Sequence, residues 1–188
     1  IWDDLNGDNI IDAGDQQIIG NGQPDYTGGI TNDFSYKNFS LNVFFQFSKG
    51  NQIYSILNQL RNSVVAYNNV SRDALTRWKE QGDITDYPRP IFNDPLNTNS
   101  RVSDRWIYDG SYLRLKTVRL SYSLPQHIIN RLKISAVKLY ASGENLITWT
   151  RYTGYGPDIS SYSGLRIGLD GGSYPQSRTF IFGLNVDI

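Results

Sequence analysis

Residues 178–188 read RTFIFGLNVDI, and apolar and polar side chains alternate along almost all of this stretch. Alternation with a period of two is typical of a β-strand whose two faces meet different surroundings. The same pattern occurs in four earlier segments. The sequence therefore predicts an all-β fold with strands at residues 27–37, 40–48, 112–124, 133–147 and 178–188.

The apolar residues change parity within the third predicted strand. Leu113 and Leu115 occupy odd positions, whereas the apolar residues from Val118 onward occupy even ones. A shift of one residue moves every following side chain to the other face of a sheet. We therefore expect either a β-bulge near Lys116, or a first half of the strand that extends beyond the half-apolar part of the sheet.

Composition excludes several classes of function. The 188 residues carry 18 Lys and Arg against 18 Asp and Glu, which argues against the clustered cations of a nucleic-acid-binding surface. Cys is absent and His127 is the single histidine, which excludes disulfides, thiolate chemistry and paired imidazoles. No two carboxylates stand out as a general acid and base, so we expect no enzyme.

The predicted connections differ in length in a regular way. Short segments join the first strand to the second and the third to the fourth, whereas long segments precede the first strand and form the other two connections, residues 49–110 and 148–177. In an antiparallel sheet all the long connections then fall at one end. This segregation is typical of outer-membrane barrels, whose strands need only about 9–11 residues to cross the membrane.

Two helices are predicted within the connection 49–110. Residues 51–65 repeat apolar side chains at helical spacing, and Ser71 is placed to cap a helix over 72–81.

Residues 4–15 have the spacing of a calcium-binding loop. A hard cation such as Ca²⁺ takes six to eight oxygen ligands from a tight loop. The predicted ligands are the side chains of Asp4, Asn6, Asp8, Asp12 and Asp15, with the carbonyl of Ile10. Asn9 stands where such loops usually have Gly, and Asp15 where they have Glu. The alternative is an Asx-rich turn held together by its own side-chain hydrogen bonds.

Aromatic residues and one arginine of the connections are candidates for contacts with a substrate or partner, because such side chains anchor interfaces. They are Tyr67, Arg77, Trp78, Trp106, Tyr108, Trp149, Tyr152 and Tyr155. The alternative is that they pack within their own loops or form an aromatic girdle at a membrane interface.

Several motifs in one order resemble the C-terminal part of the SusC/RagA family of TonB-linked outer-membrane transporters. After the acidic loop come NVFFQ at 42–46, SDRWI at 103–107, DGSYLRLK at 109–116 and LYASGENL at 139–146. The resemblance implies a segment of a large antiparallel transmembrane β-barrel of about 22 strands with long extracellular loops. It also implies a protein that contacts lipid in the outer membrane of a Gram-negative bacterium.

The same resemblance implies a function and partners. Members of this family import oligosaccharides, or in some cases peptides, with energy from TonB and with a SusD-like surface lipoprotein. The plug domain, the signal peptide and the parts that contact the TonB complex are expected outside these 188 residues. The alternative function is a soluble, calcium-stabilised β-sandwich that binds carbohydrate, because a sandwich also buries alternate residues of its strands.

Overall fold

The computed structural model describes residues 3–63, 69–95, 99, 101–132, 134–158 and 166–187. Its elements in chain order are β1 (Tyr26–Tyr36), β2 (Phe39–Lys49), β3 (Gln52–Ser55), α1 (Ile56–Asn62), β4 (Ile107–Asp109), β5 (Tyr112–Ser123), α2 (Gln126–Leu132), β6 (Ala136–Thr150), β7 (Leu169–Asp170) and β8 (Thr179–Asp187). Short 3-10 helices lie at Ala13–Asp15, Arg72–Thr76 and Asp104–Trp106. Among the described residues, no helix is long and apolar enough to cross a membrane.

Five long strands form one antiparallel sheet in the order β1-β2-β5-β6-β8. The fold is mostly strand with few helices, and these strands lie at the five places that the alternation predicts. One boundary was wrong: β6 continues to Thr150, so Trp149 belongs to the strand and not to a loop. Lys133 and Ile188, at the ends of two predicted strands, lie outside the described residues.

The change of parity in β5 is a β-bulge at Lys116, so the first of the two expectations is confirmed. Phe44 pairs with Thr117 and the next residue of β2, Phe45, pairs with Leu115. Lys116 is therefore the extra residue of β5 in this pairing. The bulge returns Leu115 to the face that carries the apolar residues after it.

As a result, one face of the sheet is apolar across all five strands. A single row in register runs through Phe34, Leu41, Leu120, Ala141 and Phe182. Nothing among the described residues covers this face: Leu120 is 47% exposed and Phe182 is 79% exposed. The opposite face carries mainly polar side chains.

The best-buried side chains lie in the long connections. All three long segments meet at one end of the five-stranded sheet, where β3 pairs with β4 antiparallel and with β7 parallel. We call this three-stranded sheet the loop assembly, together with α1, the 3-10 helix Asp104–Trp106 and Tyr152, which contact it. Ile53 and Trp106, each 1% exposed, form its core.

The helices predicted in this region are corrected by the structure. Residues 52–55 pair as β3, so the first predicted helix is reduced to α1, and residues 64 and 65 lie outside the described part. The second is one 3-10 helix, Arg72–Thr76, although Ser71 caps it as predicted by accepting a hydrogen bond from the Asp73 N–H. Pairing with distant strands overrides local helical spacing here.

Candidate functional site in the loop assembly

Backbone hydrogen bonds join segments of the loop assembly that are far apart in sequence. The Gln52 N–H donates to the carbonyl of Asn21, and the Tyr54 N–H donates to that of Gly168, each at 2.8 Å. Both bonds are made by β3, so this strand links the segment before β1 to the connection after β6. The three long segments therefore form one hydrogen-bonded unit.

Tyr152 lies at the centre of this unit. Its hydroxyl donates to the carboxylate of buried Asp170 and lies 3.3 Å from the Ser55 hydroxyl. The other Asp170 oxygen accepts the Gly172 N–H at 2.8 Å, and the ring of Tyr108 packs edge-on against Tyr152 at 5.9 Å. Burial, together with the bond to Asp170, raises the pKa of the Tyr152 hydroxyl far above its ordinary value. The Tyr152 hydroxyl therefore stays protonated at neutral pH and donates to Asp170.

An ion pair fastens the connection after β6 to the polar face of β5. Arg114, 3% exposed, donates two hydrogen bonds to Asp158 at 2.6 and 2.8 Å, and its Nε donates to Thr148 at 2.8 Å. Burial opposes ionisation of Asp158, but the hydrogen bonds and charge of Arg114 outweigh it and hold the carboxyl pKa below its ordinary value. No local pattern predicts this pair, because its members are 44 residues apart.

Two residues predicted to face a substrate or partner are buried instead. Trp106 is core, and Tyr152 is 6% exposed beneath the loops. Both stabilise the loop assembly, which corrects the prediction in favour of its packing alternative. Tyr108 is half-buried against Tyr152, while Tyr155 is exposed.

The remaining candidates lie in different surroundings. Trp149 is half-exposed on the apolar face of β6, as a girdle residue would be. Arg77 and Trp78 are half-buried, with Arg77 Nη1 donating to the Ala74 carbonyl at 3.3 Å and the Trp78 N–H donating to the Tyr87 carbonyl at 2.8 Å. Tyr67 lies outside the described residues.

Trp78 lines a cavity of about 480 Å³ that sequence reasoning did not find. Its wall also includes Tyr87 and Arg105, whose guanidinium lies 4.9 Å from the Tyr87 ring and 4.6 Å from the Trp106 ring. Neither the alternation in the strands nor the distribution of aromatic residues in the sequence points to Arg105. Arg105 contacts two rings of the same connection, that of Tyr87 and that of the next residue, Trp106.

In the acidic loop, side chains bind the loop's own backbone. Asp4 accepts the N–H groups of Gly7 at 2.7 Å and Asn9 at 2.8 Å, and Asp8 accepts the Ile10 N–H at 2.8 Å. Asn9 has a φ of 63°, the left-handed conformation that the usual Gly of a calcium loop supplies. These hydrogen bonds are those of an Asx-rich turn, and the conformation of Asn9 is compatible with either interpretation of the loop.

The other end of the acidic loop is closed in the same way. The Asp15 carboxylate accepts the Asp12 N–H at 2.9 Å and the Leu5 N–H at 2.8 Å, and these bonds lower its pKa. Asn6 donates to Asp8 at 3.1 Å. Within the described residues, no three acidic or histidine side chains are grouped to hold a metal ion. The calcium site therefore stays a prediction.

Comparison with known proteins gives a consistent result, although no family model matches the chain. The chain is 40% identical over 194 residues to TonB-dependent receptor P3 of Formosa agariphila, a match that covers 99% of this chain and 18% of the relative. It is 28% identical over 194 residues to TonB-dependent receptor SusC of Bacteroides thetaiotaomicron, covering 97% of this chain and 17% of SusC. The chain thus spans about a fifth of the length of these relatives.

Solved structures agree on the fold. The chain superposes on the RagAB peptide importer in its closed-closed state with a TM-score of 0.75 and 23% identity, covering 89% of this chain and 18% of that one. The open-open state gives a TM-score of 0.71 over 88% of this chain and 17% of that one, also at 23% identity.

Proposed function

This chain is a segment of a SusC/RagA-type TonB-dependent receptor, and we propose that the complete protein imports oligosaccharides or peptides across the outer membrane of a Gram-negative bacterium. TonB supplies the energy, acting on parts of the protein outside this chain. A SusD-like lipoprotein covers the extracellular mouth. The observation that carries the proposal is the continuous apolar face of the five-stranded sheet, together with the relatives' shared identity as receptors of this class.

The apolar face fits contact with lipid. The strands have 11, 11, 12, 15 and 9 residues, about what a tilted strand needs to cross a bilayer. Aromatic side chains lie at both ends of the face, Phe39 and Tyr122 at the short-turn end and Trp149 at the end of the loop assembly. Two aromatic rims around an apolar band are typical of transmembrane barrels.

The soluble sandwich is not favoured. A sandwich would bury the apolar face under a second sheet, with the two sheets about 10 Å apart. The only other sheet in the described residues is the small one of the loop assembly, and side chains such as Phe182 and Leu120 stay exposed. The relatives are receptors and not enzymes, which also disfavours an enzyme.

The connection 49–110 is the proposed docking surface for the lipoprotein. Several of its apolar side chains are exposed although the segment around them is folded: Leu75, Ile84, Phe92 and Val102. Exposed apolar residues on long loops are typical of interaction sites. One solved structure with this fold is described as the RagAB peptide importer.

Co-purification tests the docking role. Deleting residues 68–99 from the full-length receptor should release the lipoprotein during extraction in detergent, while the receptor itself still resists heat in detergent. A deletion elsewhere in the extracellular loops of the receptor is the control. If the lipoprotein stays bound to the deleted receptor, the docking role of this connection is wrong.

Uptake tests the import function. A strain lacking the full-length gene should lose growth on, and accumulation of, one class of nutrient, either oligosaccharides or peptides, and regain both when the gene is restored. Disrupting TonB should give the same loss. Unchanged uptake of both nutrient classes without the gene would overturn the proposed function.

A further inference from the structure

Arg105 lines the cavity beside Trp78 and carries one buried hydrogen-bond donor that is unpaired among the described residues. The Arg105 guanidinium lies over two aromatic rings, with its central carbon 4.9 Å from the centre of the Tyr87 ring and 4.6 Å from that of the Trp106 ring. Its Nη2 is buried and has no hydrogen-bond partner among the residues that the structure describes. A buried donor without an acceptor costs free energy, so such groups are rare unless a water, ion or ligand completes them.

The chemistry of the guanidinium restricts where an acceptor can be. A guanidinium donates hydrogen bonds only in its plane, and its fork of N–H groups matches the two oxygens of a carboxylate. Burial also lowers the pKa of the Arg105 guanidinium, which reflects the same loss of water. An acceptor must therefore approach Arg105 in the plane of the guanidinium.

The cavity adjoining Arg105 has room for such a ligand. Its volume of about 480 Å³ lies within the range of small-molecule sites, and Trp78 and Pro88 supply apolar wall. The charged side chains around it are two of each sign, namely Asp86, Arg89, Asp104 and Arg105. Because the cavity wall carries equal numbers of positive and negative side chains, it suits a ligand with a single carboxylate and several hydrogen-bond donors and disfavours a polyanion.

We propose that this cavity is a binding site for a monocarboxylate whose body carries N–H or O–H donors, with Arg105 pairing with the carboxylate and Asp86 and Asp104 accepting from the body. Trp78 stacks against the body. The C-terminus of a short peptide and an acidic sugar share this chemistry. The biological role of the site rests on the proposed import function, whereas its binding chemistry does not.

Matched ligands on the unmutated receptor give the first test. The full-length receptor in detergent is titrated, with saturation-transfer NMR as readout, with N-acetyl-alanyl-alanine and its C-terminal amide, and with glucuronic acid and glucose. We expect at least one acid to bind about tenfold to a hundredfold more tightly than its neutral counterpart, as for a charge-assisted hydrogen bond. Selective binding of only the peptide acid, or only of glucuronic acid, identifies the source. Equal binding within both pairs, or none, overturns the proposal.

Variants give the second test. Arg105→Gln should reduce the affinity for the preferred acid to that of its neutral counterpart, and Arg105→Lys, which keeps the charge but lacks the planar fork, should lie between. Arg72→Gln, an exposed arginine of the same connection, is the matched control and should bind as the unmutated receptor does. If all three bind alike, Arg105 does not hold the ligand. Because transport is not measured, loss of uptake with intact binding would contradict only the proposed function.

Discussion

An arginine placed on the apolar face at mid-height should be the most damaging single change in the sheet. On β5 the apolar face runs from Tyr122 to Leu113, which is eight paired steps once the bulge at Lys116 is discounted. At about 3.4 Å per step and a tilt near 40°, this span is about 21 Å high, close to the apolar band of about 25 Å of transmembrane barrels. Val118 lies four steps from either end and is therefore at mid-height of this face.

The expected cost follows from that depth. Val118→Arg should destabilise the assembled receptor by about 2–4 kcal/mol, whereas Leu113→Arg, at the rim, should cost about 0–1 kcal/mol. In population terms the first is about thirtyfold to nearly a thousandfold. Thr117→Arg, on the polar face beside Val118, is the matched control. The same face already carries Arg119, so we expect this variant to assemble.

The assay uses the full-length receptor assembled in the outer membrane. The fraction recovered there is measured for each variant, along with the temperature at which the heat-resistant band in detergent gels is lost. Val118→Arg should lower both values well below those of Leu113→Arg and Thr117→Arg. If the face met water, all three would fall within about 0.5 kcal/mol of the parent, as surface changes do. That result would refute the assignment of this face to lipid.

Three further predictions concern the connections. Tyr152→Phe leaves buried Asp170 without its hydroxyl donor and should lower the free energy of unfolding of the loop assembly by about 1–3 kcal/mol. Hydrogen exchange of this region should then be faster. Tyr155→Phe, at an exposed position, should leave the exchange unchanged. Because the pKa of Asp158 is depressed in the folded state, the contribution of this carboxylate to stability is complete above pH ~4 and is lost as the pH falls through that lower pKa. Proteolysis of the connection after β6 should therefore accelerate only in that acidic range. Asp158→Asn should abolish this pH dependence. Calcium should bind the acidic loop with affinity in the millimolar range and release heat in calorimetry, and Asp8→Ala should remove that heat; absence of heat from the parent would leave the Asx-turn alternative.

Much of the candidate site could not be predicted from the sequence. The aromatic candidates were chosen by residue type, which does not distinguish a buried ring from an exposed one, so Trp106 and Tyr152 were assigned to a surface that they do not reach. Arg105 and the pair of Arg114 with Asp158 went unnoticed, because their partners come from elsewhere in the chain. Ser71 was found because a cap acts on the next few residues.

The sequence by itself determined the five long strands and the face that each one makes apolar, and it offered a bulge near Lys116 as one of two explanations for the change of parity. These features follow from side-chain alternation, a local property that a strand of nine or more residues repeats often enough to show. Only the tertiary structure decided the loop assembly. The strands β3, β4 and β7 have four, three and two residues, too few for a pattern, and their pairing depends on contacts between segments of the chain that lie far apart in sequence. Burial of Tyr152 against Ser55 of β3 and Asp170 of β7 follows from that pairing.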